Sequence, residues 1–280
     1  MKLNLLLFLL IIFISGYSQH SNVMISNTNH PEEPTIIINP NNTQQLVAGA
    51  NINNVYFSSD GGQSWTIGEM TSDSFNVWGD PCIIVDTAGH YYFFHLSYPD
   101  STYFIDRMVC QKSTDGGASW GNITYFAHDW PKQQDKEWAV VDRANNNIYV
   151  SWTQFDIYGS SLPLDSSIIR FTKSTDNGNT WSEPIRLNKI AGDCIDSDNT
   201  VEGAVPAVGP NGEVYVAWVG IDGIFFDRSI DEGNTWLDDD ILVSTVPGGW
   251  DYHIPGLQRC NGLPVTVCDT SGGQNHGTIY

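Results

Sequence analysis

The sequence predicts an all-β chain, a propeller of four-stranded antiparallel blades. Three observations carry that reading. A box of the form S-x-D-x-G-x-[ST]-W occurs at 58–65, 113–120, 174–181 and 229–236, with its aspartates 55, 61 and 55 residues apart. A supersecondary unit repeating at this period is the sign of a repeat architecture. Short runs rich in β-branched and aromatic residues, separated by polar turns, precede every box, as paired strands do. Composition agrees, because 26 glycines and 10 tryptophans with only 16% charged residues suit tight turns and aromatic wedges better than long amphipathic helices.

The elements follow in order. Residues 1–18 read as a signal peptide, with Lys2, an apolar run over 5–14 and the small residues Ser15, Gly16 and Ser18 near the cleavage point. That run is too short to span a bilayer comfortably. Residues 19–280 are therefore expected as an exported chain that is secreted, periplasmic or at the cell surface, and not membrane-spanning once cleaved. The first unit pairs 35–38 with 45–48 and enters its box through Tyr56-Phe57. The second pairs 82–85 with 91–94 and enters through 108–111. The third pairs 139–141 with 148–152 and enters through 168–171. The fourth pairs 205–208 with 214–218 and enters through 224–226. A weaker fourth strand such as Pro184-Ile185-Arg186-Leu187 follows each box. Residues 263–267 and 277–280 read as the first strands of a fifth unit, so about four and a half blades are expected.

The box chemistry is that of a self-bonded turn. Aspartate and serine oxygens accept from nearby backbone N–H groups, glycine allows positive φ, and tryptophan covers the neighbouring turn. Asp60, Asp115, Asp176 and Asp231 are therefore expected to be structural, since an active site is usually singular. The five cysteines at 82, 110, 194, 260 and 268 form no C-x-x-C pair. Export permits disulfides, and Cys194 with Cys260 lie in corresponding loops where one is possible. Cys82 and Cys110, on the first and third strands of one blade, are expected to stay unpaired.

A net charge of −20 repels phosphate backbones and argues against nucleic acid as a partner. Candidate functional residues collect in the loops on the face opposite the boxes. They include Trp78 and Asp80, then Trp130 and Asp135, and then Trp250, Asp251 and Arg259. Aromatic faces beside carboxylates are what a sugar site uses, which makes glycans or glycoconjugates the expected partners. Asp193, Asp196 and Asp198, near Glu202, form the densest carboxylate cluster. Hard oxygen ligands of this kind suit calcium, although the spacing is not that of an EF-hand. No cofactor is otherwise required. His95 ends a strand and reads as a packed, hydrogen-bonded residue.

On these boxes, the Asp-box or bacterial neuraminidase repeat, the chain resembles the sialidase superfamily of β-propellers. The resemblance implies six blades, of which this sequence would hold a part, with each box at the turn between third and fourth strands, away from the ligand face. It implies Asp106, ahead of Arg107-Met108-Val109, as acid/base, and Glu202 as the glutamate that assists a tyrosine nucleophile lying beyond Tyr280. It also implies an arginine cluster for a substrate carboxylate. Here the matching positions read Glu32-Glu33-Pro34 and Gly79-Asp80-Pro81, and Val219 stands at another arginine position. Only Arg107 and Arg259, with Lys132 or Lys136, are left to supply positive charge on that face. Two readings stay open. One is a glycoside hydrolase with an atypical catalytic set, Asp106, Asp135 and Glu202 being its acid/base candidates. The other is a non-catalytic propeller that binds glycans or proteins.

Overall fold

The computed structural model describes residues 22–98, 104–257 and 259–280. The expected leader lies outside the described residues. The described chain is all-β, and no helix long and apolar enough to cross a membrane is present among the described residues.

Among the described residues sixteen strands make four antiparallel sheets of four, each paired in sequence order. The first holds β1 (Glu32–Ile38), β2 (Leu46–Asn51), β3 (Asn54–Ser58) and β4 (Thr66–Glu69). The second holds β5 (Gly79–Val85), β6 (Tyr91–Leu96), β7 (Met108–Ser113) and β8 (Gly121–Phe126). The third holds β9 (Gln133–Val141), β10 (Ile148–Phe155), β11 (Ser167–Ser174) and β12 (Ile185–Arg186). The fourth holds β13 (Glu202–Val208), β14 (Val214–Gly220), β15 (Gly223–Ser229) and β16 (Ile241–Ser244). The second strands Tyr91–Leu96, Ile148–Phe155 and Val214–Gly220 are buried along their whole length, as expected of strands covered on both faces.

Every box joins the third strand of its sheet to the fourth. In the first, Ser58 Oγ donates to Asp60 Oδ1 at 2.8 Å, and Asp60 accepts from Ser64 N (2.9 Å) and Ser64 Oγ (2.6 Å). Gly62 N closes the turn on Ser58 Oγ at 3.0 Å. The same four bonds recur around Asp115, Asp176 and Asp231. The Ser64 side chain, then its backbone N–H, holds the Asp60 carboxyl down to about 2. The tryptophans do more than cover a turn. Trp120, Trp181 and Trp236 pack into the cores between first and second, second and third, and third and fourth sheets. The second box glycine makes the same backward contact. At Gly117, φ is +92° and a Cβ would stand 2.7 Å from Val47 of the preceding sheet. At Gly233 it would stand 2.8 Å from Phe171.

Two expectations are corrected. The segments 263–267 and 277–280 are not strands but meet through one isolated bridge, Cys268 with Ile279, beside paired bonds between Val267 and Tyr280. All five cysteines are free, Cys194 and Cys260 included, while Cys82 and Cys110 are unpaired as expected. His95 is fully buried, its Nδ1–H donating to the Leu96 carbonyl at 2.7 Å, and burial lowers its pKa to about 4.

Candidate functional site

The first strand of each sheet carries one local irregularity at the same place. Glu33, Asp80, Lys136 and Gly203 all have positive φ, at 46°, 50°, 51° and 68°. Each lies at a break in register with the second strand of its sheet. Such a bulge bends a strand and re-aims its side chains. Here it brings residues of different sheets together. Lys136 Nζ reaches Glu33 Oε2 at 2.9 Å and Asp80 Oδ2 at 2.8 Å, tying three sheets with one ammonium. Asn51 fixes Asp80 from behind by accepting its backbone N–H at 2.6 Å. At the fourth bulge only glycine fits, since a Cβ on Gly203 would meet Leu263 at 2.8 Å.

This triad separates two cavities. One, about 290 Å³, is lined by Trp78, Phe104, Asp135, Lys136, Tyr158 and Arg259, among others. The other, about 320 Å³, runs past Glu137, Trp138 and the chain at Leu263 and Pro264. Trp78 is held by Phe104 edge-on at 5.0 Å and by Tyr98 at 4.8 Å. On the other side Tyr158 Oη donates to Asp196 Oδ2 at 2.6 Å, and Arg259 lies 3.3 Å from the same oxygen.

Burial dominates the electrostatics. The Asp135 carboxyl is pushed well above the usual range, first by desolvation and then by the negative charge of Asp80, with Lys136 opposing. Glu202 is raised likewise by burial and by Asp135 and Asp196, and Glu137 by burial and Asp80. Glu137 and Glu202 are 2% and 1% exposed, and all four of their carboxyl oxygens lack a hydrogen-bond partner. Carboxyls in that situation are held protonated. Burial works against the charge on Lys136, but Asp80, Asp135 and Glu33 outweigh it, so its pKa rises. Tyr158 is raised too, by burial and by its bond to Asp196.

Of the residues singled out from sequence, Trp78, Asp80, Asp135 and Arg259 come together at the cavity of Tyr158 and Lys136, with Asp196 and Glu202 just behind. Asp106 and Arg107 go elsewhere. Ile105 lines the cavity, whereas Asp106, the next residue, is turned away and buried, its carboxylate held by Arg107 (2.6 Å) and close to His128 (3.4 Å). Trp250 offers no stacking face, being 3% exposed with its indole N–H given to the Thr200 carbonyl. Trp130 is half exposed but does not line the cavity, and Lys132 is engaged by Asp129 and Asp156. Asp251 takes its place through backbone contact, its N–H donating to Asp198 at 2.8 Å. The calcium cluster disperses. Asp193 accepts from Thr200, Asp196 from Tyr158, and Asp198 from Asp251. Among the described residues no three acid, histidine or cysteine side chains are grouped to hold a metal. Tyr158 was missed because its loop carries no repeat, and Glu137, read with Asp135 and Lys136 in the loop ahead of the expected 139–141 strand, was given no role there.

Comparison with known proteins gives a fold. No family model and no curated protein matches the chain. Solved structures do. A protein of unknown function from Dyadobacter fermentans aligns at TM-score 0.54 with 19% identity, over 74% of this chain and 68% of that one. The NanB sialidase of Streptococcus pneumoniae aligns at 0.52 with 11% identity, over 79% and 52%. A leech intramolecular trans-sialidase aligns at 0.53 with 13% identity, over 77% and 51%. The chain thus spans about half the length of these two enzymes. At such identities the likeness reports architecture, and on it the chain has a sialidase-like β-propeller fold.

Proposed function

We propose that this chain is an exported, glycan-acting propeller whose axial cavity hydrolyses a glycosidic bond in a neutral sugar. The observation that carries the reading is Asp135, a cavity-lining carboxyl held protonated by burial and by Asp80, beside the aromatic wall of Trp78 and Phe104. Glycoside hydrolysis uses a carboxylic acid kept neutral at working pH next to a second carboxyl of different environment. Asp135 would protonate the leaving oxygen. The Asp196 carboxylate, fixed by Tyr158 and Arg259, would stabilise positive charge on the sugar, with Glu202 behind both. The leader-like start supports export, and the charge of −20 supports a ligand other than nucleic acid.

Sialic acid fits this cavity poorly. Glu33, Asp80 and Lys136 occupy the bulges and Glu32 stands beside them, so cavity carboxylates outnumber its two cations, Lys136 and Arg259. Repulsion of an anionic substrate follows. The same charge pattern favours the second reading, a propeller that binds glycans or proteins without turnover, because Lys136 is already saturated by two carboxylates.

One experiment separates them. The chain is assayed against aryl glycosides of neutral hexoses, pentoses and N-acetylhexosamines, and of N-acetylneuraminic acid. Turnover of a neutral glycoside that falls 10²-fold or more in Asp135→Asn, with an unchanged melting temperature, is expected. Binding without turnover selects the second reading. Turnover of the sialoside, abolished by Asp106→Asn, overturns the assignment of Asp135.

A further inference from the structure

A larger hollow, about 760 Å³, lies away from the axis, in the side of the molecule between the second and third sheets. Its origin is local. The outer strand β12 pairs only two residues with β11, whereas β4, β8 and β16 have four to six residues. Pro184 just before β12 has no N–H to give a ladder. The chain from Trp181 to Pro184 therefore leaves a gap against β8, running from box residues Asn179 and Thr180 at one end to His128 and Asp129 at the other.

We propose that this groove is a second binding site, distinct from the axial cavity, for an uncharged stretch of glycan chain. Two polar groups at its floor have no partner. Gln154 is 2% exposed, and its Oε1 has no donor while its Nε2 points to Asp129 at 3.4 Å. Arg170 is half-buried, gives one N–H to the Pro184 carbonyl at 3.0 Å and leaves its buried Nε–H unbonded. Buried polar atoms without a partner are costly, so an unmet acceptor and an unmet donor on one wall call for a group that is both. A sugar hydroxyl is such a group. The charge balance agrees, because Arg170 faces Asp129 and Glu183 across the same groove, so neither a polyanion nor a cation is favoured.

Tyr125 is half exposed, and Arg107 lies 5.1 Å over its ring while Phe75 packs at 5.0 Å. Arg107 is in turn clamped by Asp106. The pair that sequence placed at the catalytic centre thus fixes the pose of one half-exposed aromatic ring at the edge of the groove.

The test uses the full chain with the hexasaccharides of cellulose, xylan, mannan and laminarin, read by hydrogen–deuterium exchange and calorimetry. At least one is expected to protect amides in 121–129 and 180–184, with affinity falling tenfold or more in Arg170→Met and in Gln154→Leu. Asp135→Asn, which removes the axial acid, should bind there as the wild type does, so loss of hydrolysis and loss of groove binding are told apart. If the two buried variants fail to fold, Tyr125→Ala, on the exposed rim, decides by the same tenfold criterion. Absence of protection by all four sugars overturns the proposal. So does affinity within twofold of wild type in the variants, or stronger protection by sialyllactose than by every neutral sugar.

Discussion

The molecule repeats itself on two rims, and it does so differently on each. On one rim the box turn recurs four times with the same serine, aspartate, second glycine and tryptophan, a serine or threonine before the tryptophan, and the same four hydrogen bonds. On the other the first-strand bulge recurs four times with the same backbone twist but with Glu33, Asp80, Lys136 and Gly203 in turn. A repeat that keeps its side chains is holding the fold, because every copy must solve one packing problem. A repeat that keeps its backbone and changes its side chains presents four different groups to one axis, which is what an asymmetric ligand needs. The positive φ of Glu33, Asp80 and Lys136 is unusual for such residues, and strain of this kind gathers at functional positions.

Breaking the bulge rim should have the larger effect. Lys136→Met leaves Glu33 and Asp80 without their shared cation, and stability measured by urea unfolding is expected to fall by about 3 kcal/mol. Asp80→Asn in the same background should restore part of it. A loss under about 0.5 kcal/mol would mean that the triad does not hold the sheets. On the box rim, Gly117→Ala combines φ +92° with contact on Val47, and about 2 kcal/mol is expected. Gly116→Ala, where a Cβ meets only the tip of Gln45 at 3.4 Å, should cost about half as much. Equal losses would show that the close approach between sheets is not what selects glycine.

The two rims should also answer pH in opposite senses. Glu137 and Glu202 have raised pKa values, so the folded chain binds more protons than the unfolded one above about pH 4, and their contribution falls as pH rises. Glu137→Gln should flatten the decline in stability between about pH 5 and pH 8, by about 1.4 kcal/mol or more, the worth of a tenfold change in proton affinity. Asp60 and Asp231, held near 2, act conversely, and their contribution is present above about pH 4 and lost as pH falls toward 2. Asp60→Asn should therefore alter acid unfolding while leaving glycan affinity within twofold of wild type. A larger change would couple the rims.

The strands and boxes were legible because their signals are local. Period-two patterning marks a buried strand, and serine, aspartate and glycine at fixed offsets mark a self-bonded turn. The axial site was legible only as a set of loops. Asp106 was misplaced because neighbouring residues point to opposite sides, so that Ile105 reaches the cavity while Asp106 is buried against Arg107 and His128. Trp250 was misread because leaving a strand is not the same as reaching solvent. Nothing in Glu33 or Lys136 announces a left-handed backbone, and only Pro34 and Pro81 hint that the strand starts there are constrained.

The backward reach of the boxes has a consequence for the time course of folding. Gly117 and Trp120 complete the packing of the first sheet from a position about seventy residues beyond Val47, and Gly178 and Gly233 do the same for the second and third. At synthesis rates of about 5–20 residues per second, each sheet must then wait several seconds for the turn that seals it. During that interval Val47, Tyr92 and Phe171 lie open in succession, and the growing chain carries one unsealed apolar face forward at a time.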